Sequence, residues 1–183
     1  MRTSFFIIFL FVVNTSAFSE GTSGLITDEH KDNEWVVSYI TKNSIHASVN
    51  GQVTHGDGLH VRFVKGKCDF GNLLTFVYSY SKNPDLVNFE NKYVTTKFIG
   101  EKIIAKVLFT SPFLMGHRST VDLGWMPKND LKKYLTKDNV ISIIYLDSEE
   151  TKITEYFDIR QNNWDTVGLG DALEKASTMC KKL

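Results

Sequence analysis

The segment Leu59-His60-Val61-Arg62-Phe63-Val64 alternates apolar and polar side chains with a period of two. In an extended strand this period places Leu59, Val61 and Phe63 on one face and the polar side chains on the other. A longer segment, Leu73 to Tyr80, follows and is rich in aromatic residues, as is typical of a central strand. This part of the chain therefore predicts β structure with one buried face.

Short segments of the same kind continue outward on both sides of this pair. Further strands are predicted at 35–40, 44–49, 93–99, 102–109, 119–125, 140–146 and 152–159. Turn residues separate them, among which Asn50-Gly51 indicates a tight turn and Gly56-Asp57-Gly58 a second one. The last two strands are expected to form a hairpin around Ser148-Glu149-Glu150.

Two segments predict helices instead. Asn129 to Leu135 follows a proline and has an acidic first turn, and the C-terminal segment from about Thr166 to Lys182 repeats apolar residues at helical spacing. The repeating positions of the second segment are Leu169, Leu173, Ala176 and Cys180. Nine short strands without alternating long helices favour a mainly β fold, which we expect to be an antiparallel β-sandwich with a C-terminal α-helix, in one domain over 34–183.

The N-terminus has the order of a secretory signal peptide. Arg2 precedes nine apolar residues, 5–13, and small residues follow at Ser16, Ala17 and Ser19. Nine helical residues cover about 14 Å, less than half of the roughly 30 Å hydrocarbon core, so a spanning helix is disfavoured. We expect a signal peptide at 1–19, cleaved after Ala17 or Ser19, with an uncleaved anchor as the alternative. The polar residues 20–33 are expected to form a flexible leader.

Export bears on the two cysteines, Cys68 and Cys180. In an oxidising compartment an even pair predicts a disulfide, here between the strand region and the last helix. The alternative is two separate thiols. The expected location is therefore periplasmic or secreted.

Charge and hydropathy exclude several classes of protein. The chain has 21 basic and 21 acidic residues, so it lacks the basic excess of a nucleic-acid-binding protein. After residue 19 no segment approaches 18 uninterrupted apolar residues, which predicts no membrane span after signal cleavage. Neither glycine-rich nucleotide-binding pattern is present, and we predict no cofactor.

A set of positions resembles known exported proteins. The set comprises Trp35, the strand Leu59-His60-Val61-Arg62 leading to Cys68, the segment Tyr156-Phe157-Asp158-Ile159, and Gly168-Leu169, Ala172-Leu173 and Cys180. It resembles small bacterial proteins of the invasion-associated locus B type and periplasmic accessory proteins of type VI secretion clusters. The resemblance implies a β-sandwich with a helix that ends in a cysteine, and it implies no catalytic residue. The long aromatic segment 70–99 and Asn162-Asn163-Trp164 depart from it.

Three residues around one turn, His55, Asp57 and His60, are the candidates for a metal site, because imidazole and carboxylate groups are common ligands. The alternative is a polar turn with exposed histidines. His117, Arg118 and Ser119 could serve a hydrolase, although no Gly-x-Ser-x-Gly elbow surrounds the serine.

Aromatic residues form the last candidate site. They are Phe70, Phe76, Tyr78, Tyr80, Phe89 and Tyr93. They are expected either to pack in the core or to present a face to a partner protein or glycan. The leading hypothesis is a non-enzymatic exported protein that binds or supports another envelope component, by surface complementarity or by strand addition. The alternatives are a small secreted hydrolase or metal-binding protein using His55, Asp57 and His60, and a carrier of an apolar ligand.

Overall fold

The computed structural model describes residues 34–53, 56–80 and 84–183. The predicted signal peptide (1–19), the predicted leader (20–33) and His55 lie outside these residues. In the described part, neither helix has the length and hydropathy needed to cross a bilayer.

Nine strands form one antiparallel sheet, so the prediction of a mainly β fold with a C-terminal helix is confirmed. The strands are β1 (Val36–Thr41), β2 (Ser44–Asn50), β3 (Gly58–Val64), β4 (Phe70–Ser79), β5 (Tyr93–Phe98), β6 (Glu101–Phe113), β7 (Gly116–Pro127), β8 (Val140–Leu146) and β9 (Gln161–Asp165). Their order in the sheet is β1-β2-β3-β4-β7-β6-β5-β8-β9. Two helices, α1 (Lys128–Leu135) and α2 (Leu169–Cys180), and two 3-10 turns, Pro84–Phe89 and Ile153–Glu155, connect or follow them.

The sheet curls until its two ends meet. The Trp35 indole Nε1, just before β1, donates a hydrogen bond to the carbonyl oxygen of Asp165 in β9 over 2.9 Å. The backbone N–H of Gln52, after β2, donates to the carbonyl oxygen of Asn163, also over 2.9 Å. The inner face holds the core, and Leu59 and Val61 of β3 are fully buried there, as the alternation in the sequence predicts.

The predicted strand at 152–159 is wrong. Ile153–Glu155 is a 3-10 turn, and β8 pairs with β9 instead. Ile153 and Phe157 both point into the core, and the N–H of Phe157 donates to the carbonyl oxygen of Ile153, which is a helical spacing of four. The Asp147 carboxylate accepts the N–H of Ile153 over 2.8 Å and holds the start of this turn.

The connection after β2 is also longer than the tight turn predicted at Asn50-Gly51. It runs from Gly51 to Asp57, and the N–H of Gly51 donates to the carbonyl oxygen of Asp57 over 2.9 Å. A side chain at Gly51 would collide with the amide of Asn162, so a residue without Cβ is required where the loop touches β9.

Helix α2 packs its predicted apolar face against the sheet. Leu169, Leu173 and Ala176 are fully buried, and Cys180 forms a disulfide with Cys68 in the connection between β3 and β4. Beside the disulfide, the Ser177 hydroxyl donates to the carbonyl oxygen of Cys68 over 2.8 Å. The last helix is therefore fixed to the sheet by packing, a covalent bond and a hydrogen bond.

Replacing both cysteines by serine is expected to lower the free energy of unfolding by about 4–5 kcal/mol, because the disulfide closes a loop between residues 112 apart. Denaturant titration measures this loss. Ser177→Ala is the control, since it removes only the neighbouring hydrogen bond and should cost about 1 kcal/mol. Equal losses in the two variants would contradict a stabilising role for the cross-link.

Candidate functional site

The residues predicted to bind a metal lie in different environments. Asp57 is 3% exposed, and its carboxylate accepts the N–H of Tyr78 over 2.7 Å and the side-chain amide of Asn162 over 2.8 Å. His60 lies on the outer face of β3, where its ring contacts Phe76 with ring centres 4.0 Å apart. No group of three His, Cys, Asp or Glu side chains able to hold a metal occurs within residues 34–53, 56–80 and 84–183.

Asp57 instead joins the two ends of the sheet. Asn162 lies in β9, and while its amide group donates to Asp57, its oxygen accepts the N–H of Val53 from the loop after β2. Burial raises the pKa of Asp57 from 3.8 to about 6, although the hydrogen bonds from Asn162 and Tyr78 act in the opposite direction. We refer to Asp57 and Asn162 as the clasp.

His46 lies on the outer face beside His60, with the two Nδ1 atoms 3.4 Å apart. Burial, and to a smaller extent the positive charge of Arg62, lowers the pKa of His46 to about 4. His46 is therefore neutral at neutral pH, and one ring nitrogen is available to accept a hydrogen bond.

The residues predicted for a hydrolase are also separated. Ser119 is fully buried, and its hydroxyl shares a hydrogen bond with the Thr110 hydroxyl over 2.9 Å. Arg118 points to the opposite face of β7, where its guanidinium lies 4.8 Å from the ring centre of Phe76 and 4.3 Å from that of Phe113. A serine that is to act as a nucleophile must be open to substrate, and Ser119 is not.

The predicted aromatic set divides between core and surface. Tyr78 and Phe89 are buried, whereas Phe70, Tyr80 and Tyr93 are exposed. At the end of β4 the Tyr78 ring makes edge contacts with the rings of Tyr80 and Phe113, with ring centres 5.6 and 5.8 Å apart. Aromatic side chains from two strands thus converge on the turn between β6 and β7.

That turn carries the most exposed apolar side chains in the molecule as far as the structure describes it. Leu114 is 81% exposed and Met115 is 77% exposed. They connect β6, of 13 residues, to β7, of 12 residues. We call Tyr80, Phe113, Leu114 and Met115 the tip surface.

Strand β4 holds the tip surface in place. Gly116 passes so close to the carbonyl group of Ser79 that any side chain at this position would collide with it. The Arg118 guanidinium fills the space between the Phe76 and Phe113 rings, a cation–π arrangement that adds rigidity behind the turn. The tip is consequently an ordered extension of the sheet.

Sequence reasoning missed Leu114 and Met115. The one available signal was the run Phe113-Leu114-Met115, which places apolar residues between two strands where turn residues are expected.

A second aromatic surface lies at the other end of β4. Phe70 and Trp125, each nearly half exposed, line an open cleft of about 290 Å³ together with Gly66 and Lys67. The Lys67 ammonium lies 5.3 Å from the centre of the Trp125 ring. Phe70 and Trp125 are 48% and 43% exposed, which are lower fractions than those of Leu114 and Met115 at the tip.

Asp57 and His46 should influence stability in opposite directions as pH rises. The pKa of Asp57 is raised to about 6 in the folded state, so its contribution is present below its unfolded pKa of 3.8 and is lost as pH rises towards 6. The pKa of His46 is lowered to about 4, so the folded state gains stability as pH rises from 4 towards the unfolded value of 6.5. Each group should change the free energy of unfolding by an amount on the order of 3 kcal/mol across its pH range.

In Asp57→Asn only His46 remains of the two, so the free energy of unfolding should increase as pH rises from about 4 to 6. In His46→Gln only Asp57 remains, so the free energy of unfolding should decrease over the same pH range. Urea titrations at a series of pH values measure both slopes, and each variant controls for the other. Slopes of the same sign would show that at least one of these groups is not titrating as its burial implies.

No family model, no curated protein and no solved structure matches this chain. The resemblance to exported proteins of the locus B and type VI accessory kinds therefore stays a prediction.

Proposed function

We propose that this chain is a non-enzymatic exported protein, periplasmic or secreted, that binds another envelope component through the tip surface. The observation that carries the proposal is the 81% and 77% exposure of Leu114 and Met115 at the end of a long, braced hairpin. Contiguous exposed apolar side chains usually mark an interaction site, whereas single ones are common on any surface.

The disulfide supports export. Cys68 and Cys180 are bonded, and the described residues contain no free cysteine. Structural disulfides form and persist mainly in oxidising compartments, which include the periplasm and the extracellular space. The predicted signal peptide points to the same destination.

The enzymatic alternatives have less support. The Ser119 hydroxyl is buried and already bonded to Thr110, and the Asp57 carboxylate is occupied by Tyr78 and Asn162. Neither arrangement leaves the reactive atom open to a substrate. The carrier hypothesis needs an enclosed apolar cavity. The clefts beside Trp35 and Ala172, beside Tyr134 and Ile141, and at Phe70 and Trp125 are instead surface clefts that open to solvent.

The double variant Leu114→Asp/Met115→Asp should weaken association with the isolated envelope of the source cells by about tenfold or more. Charged side chains cannot be buried in an apolar contact, and each lost apolar burial removes about 1.5–3 kcal/mol, where 1.4 kcal/mol is a factor of ten. Co-sedimentation of the purified protein with envelope fragments measures the association.

The control is Ile104→Asp/Val167→Asp, which adds the same charge at two apolar side chains that are 66% and 70% exposed elsewhere. It should bind like the natural protein. Equal binding by the tip variant and the natural protein would refute the tip as the contact surface.

A further inference from the structure

We infer that the envelope component is the lipid bilayer, and that the tip surface inserts into the interface of an anionic membrane. The inference rests on the function proposed above and names the partner that its chemistry fits. Its support comes from the size of the surface, the order of its side chains, its charge and the backbone conformation at Leu114.

The size of the tip surface suits lipid better than a folded protein. A stable protein–protein contact buries about 800 Å² on each partner, spread over some 20–30 residues. The tip surface has far fewer residues than this. Two of them, Leu114 and Met115, are strongly exposed at the end of the hairpin, and Tyr80 and Phe113 lie beside them. Lipid chains need no matching shape, so a narrow apolar projection is sufficient to enter the interface.

The side chains are layered as an interface requires. Leu114 and Met115 are the most exposed, Tyr80 is 57% exposed, and the rings of Tyr80 and Phe113 both contact the buried ring of Tyr78 at the end of β4. Tyrosine is enriched at the level of lipid headgroups because its ring is apolar and its hydroxyl is polar. The guanidinium of Arg118 follows, in contact with the Phe113 ring.

The charge carried by the hairpin itself favours an anionic surface. From Phe109 to Val121 the sequence contains no acidic residue, and it contains the basic residues His117 and Arg118. One carboxylate from outside the hairpin lies at the tip surface itself: Asp158 accepts the backbone N–H of Tyr80 over 2.5 Å. A second, Glu90, lies farther down the hairpin and accepts the N–H of Thr110 over 2.9 Å. A cation near the headgroups strengthens binding to anionic lipid.

Leu114 also occupies an unfavourable backbone conformation. Its φ angle is 52°, in the left-handed region that favours glycine and disfavours a residue with a bulky side chain. A leucine in such a turn costs stability, and strained residues of this kind concentrate at functional sites. An apolar side chain is therefore present at the tip although glycine fits the turn better.

Ile99 provides a matched control for this strain. It lies in the turn between β5 and β6, at the opposite end of β6 from the tip, and its φ angle is 50°. Ile99→Gly should therefore relieve the same backbone strain as Leu114→Gly without changing the tip surface.

The experiment is sedimentation with vesicles of phosphatidylcholine alone and of phosphatidylcholine mixed with phosphatidylglycerol. The natural protein should bind both, and the mixed vesicles more tightly. Leu114→Gly should bind about tenfold more weakly while its melting temperature stays equal or rises, since one buried apolar side chain corresponds to about that factor. Ile99→Gly should bind like the natural protein. Its melting temperature should lie below that of Leu114→Gly, because Ile99 is only 38% exposed and loses packing on replacement, whereas Leu114 is 81% exposed.

Met115→Ser is a second variant that leaves the backbone at Leu114 unchanged, and it should also weaken vesicle binding. Unchanged vesicle binding by both tip variants would overturn the inference. A second result would also overturn the inference: the natural protein fails to bind vesicles, while its association with envelope fragments still depends on the tip. The envelope component would then be a protein or a glycan, and the proposed function would stand. Loss of tip dependence in both assays would overturn the proposed function as well.

Discussion

The clasp between Asp57 and Asn162 is the constraint on which the rest of the structure depends. It joins the loop after β2 to β9 and so brings together the two ends of a nine-stranded sheet. An open sheet exposes unpaired backbone groups along its edge strands, which promotes aggregation. Here the backbone of Gln52 pairs with Asn163, and the Trp35 indole pairs with Asp165, so part of the edge of β9 is already occupied. The curled sheet then encloses its own core, with α2 packed against one side.

The clasp joins the loop after β2 to β9, and the longest strands lie elsewhere in the sheet. Strands β6 and β7 are the longest, and their hairpin carries the tip surface. Strand β4 pairs with β7 up to Ser79 and His117, and the absence of a side chain at Gly116 lets the turn lie close to the Ser79 carbonyl group. The apolar side chains are therefore presented on a paired backbone, and little backbone entropy remains to be lost when they are buried in a contact.

The strands whose alternation is regular were predictable from the sequence, and β3 is the clearest case. Strand β9 was not, because Gln161-Asn162-Asn163-Trp164-Asp165 is polar and has low strand propensity. Its position follows from two long-range contacts: the pairing with β8 and the bond from Asn162 to Asp57. The separation of Asp57 from His60 likewise follows from tertiary contacts, since Asp57 bonds across the sheet ends while His60 faces outward. The tip was missed because the predicted strands at 102–109 and 119–125 are shorter than β6 and β7, so Leu114 and Met115 fell inside a long predicted connection instead of at the turn of a hairpin.

The long pairing of β4 with β7 has a mechanical consequence. Ten residue pairs join these two strands, and backbone hydrogen bonds in an antiparallel pair run perpendicular to the strand direction. A pulling force applied at the turn acts along the strands, so it strains many of these bonds at once in shear instead of breaking them one after another. A force applied at Leu114 and Met115 must therefore break many backbone hydrogen bonds together before the sheet unfolds.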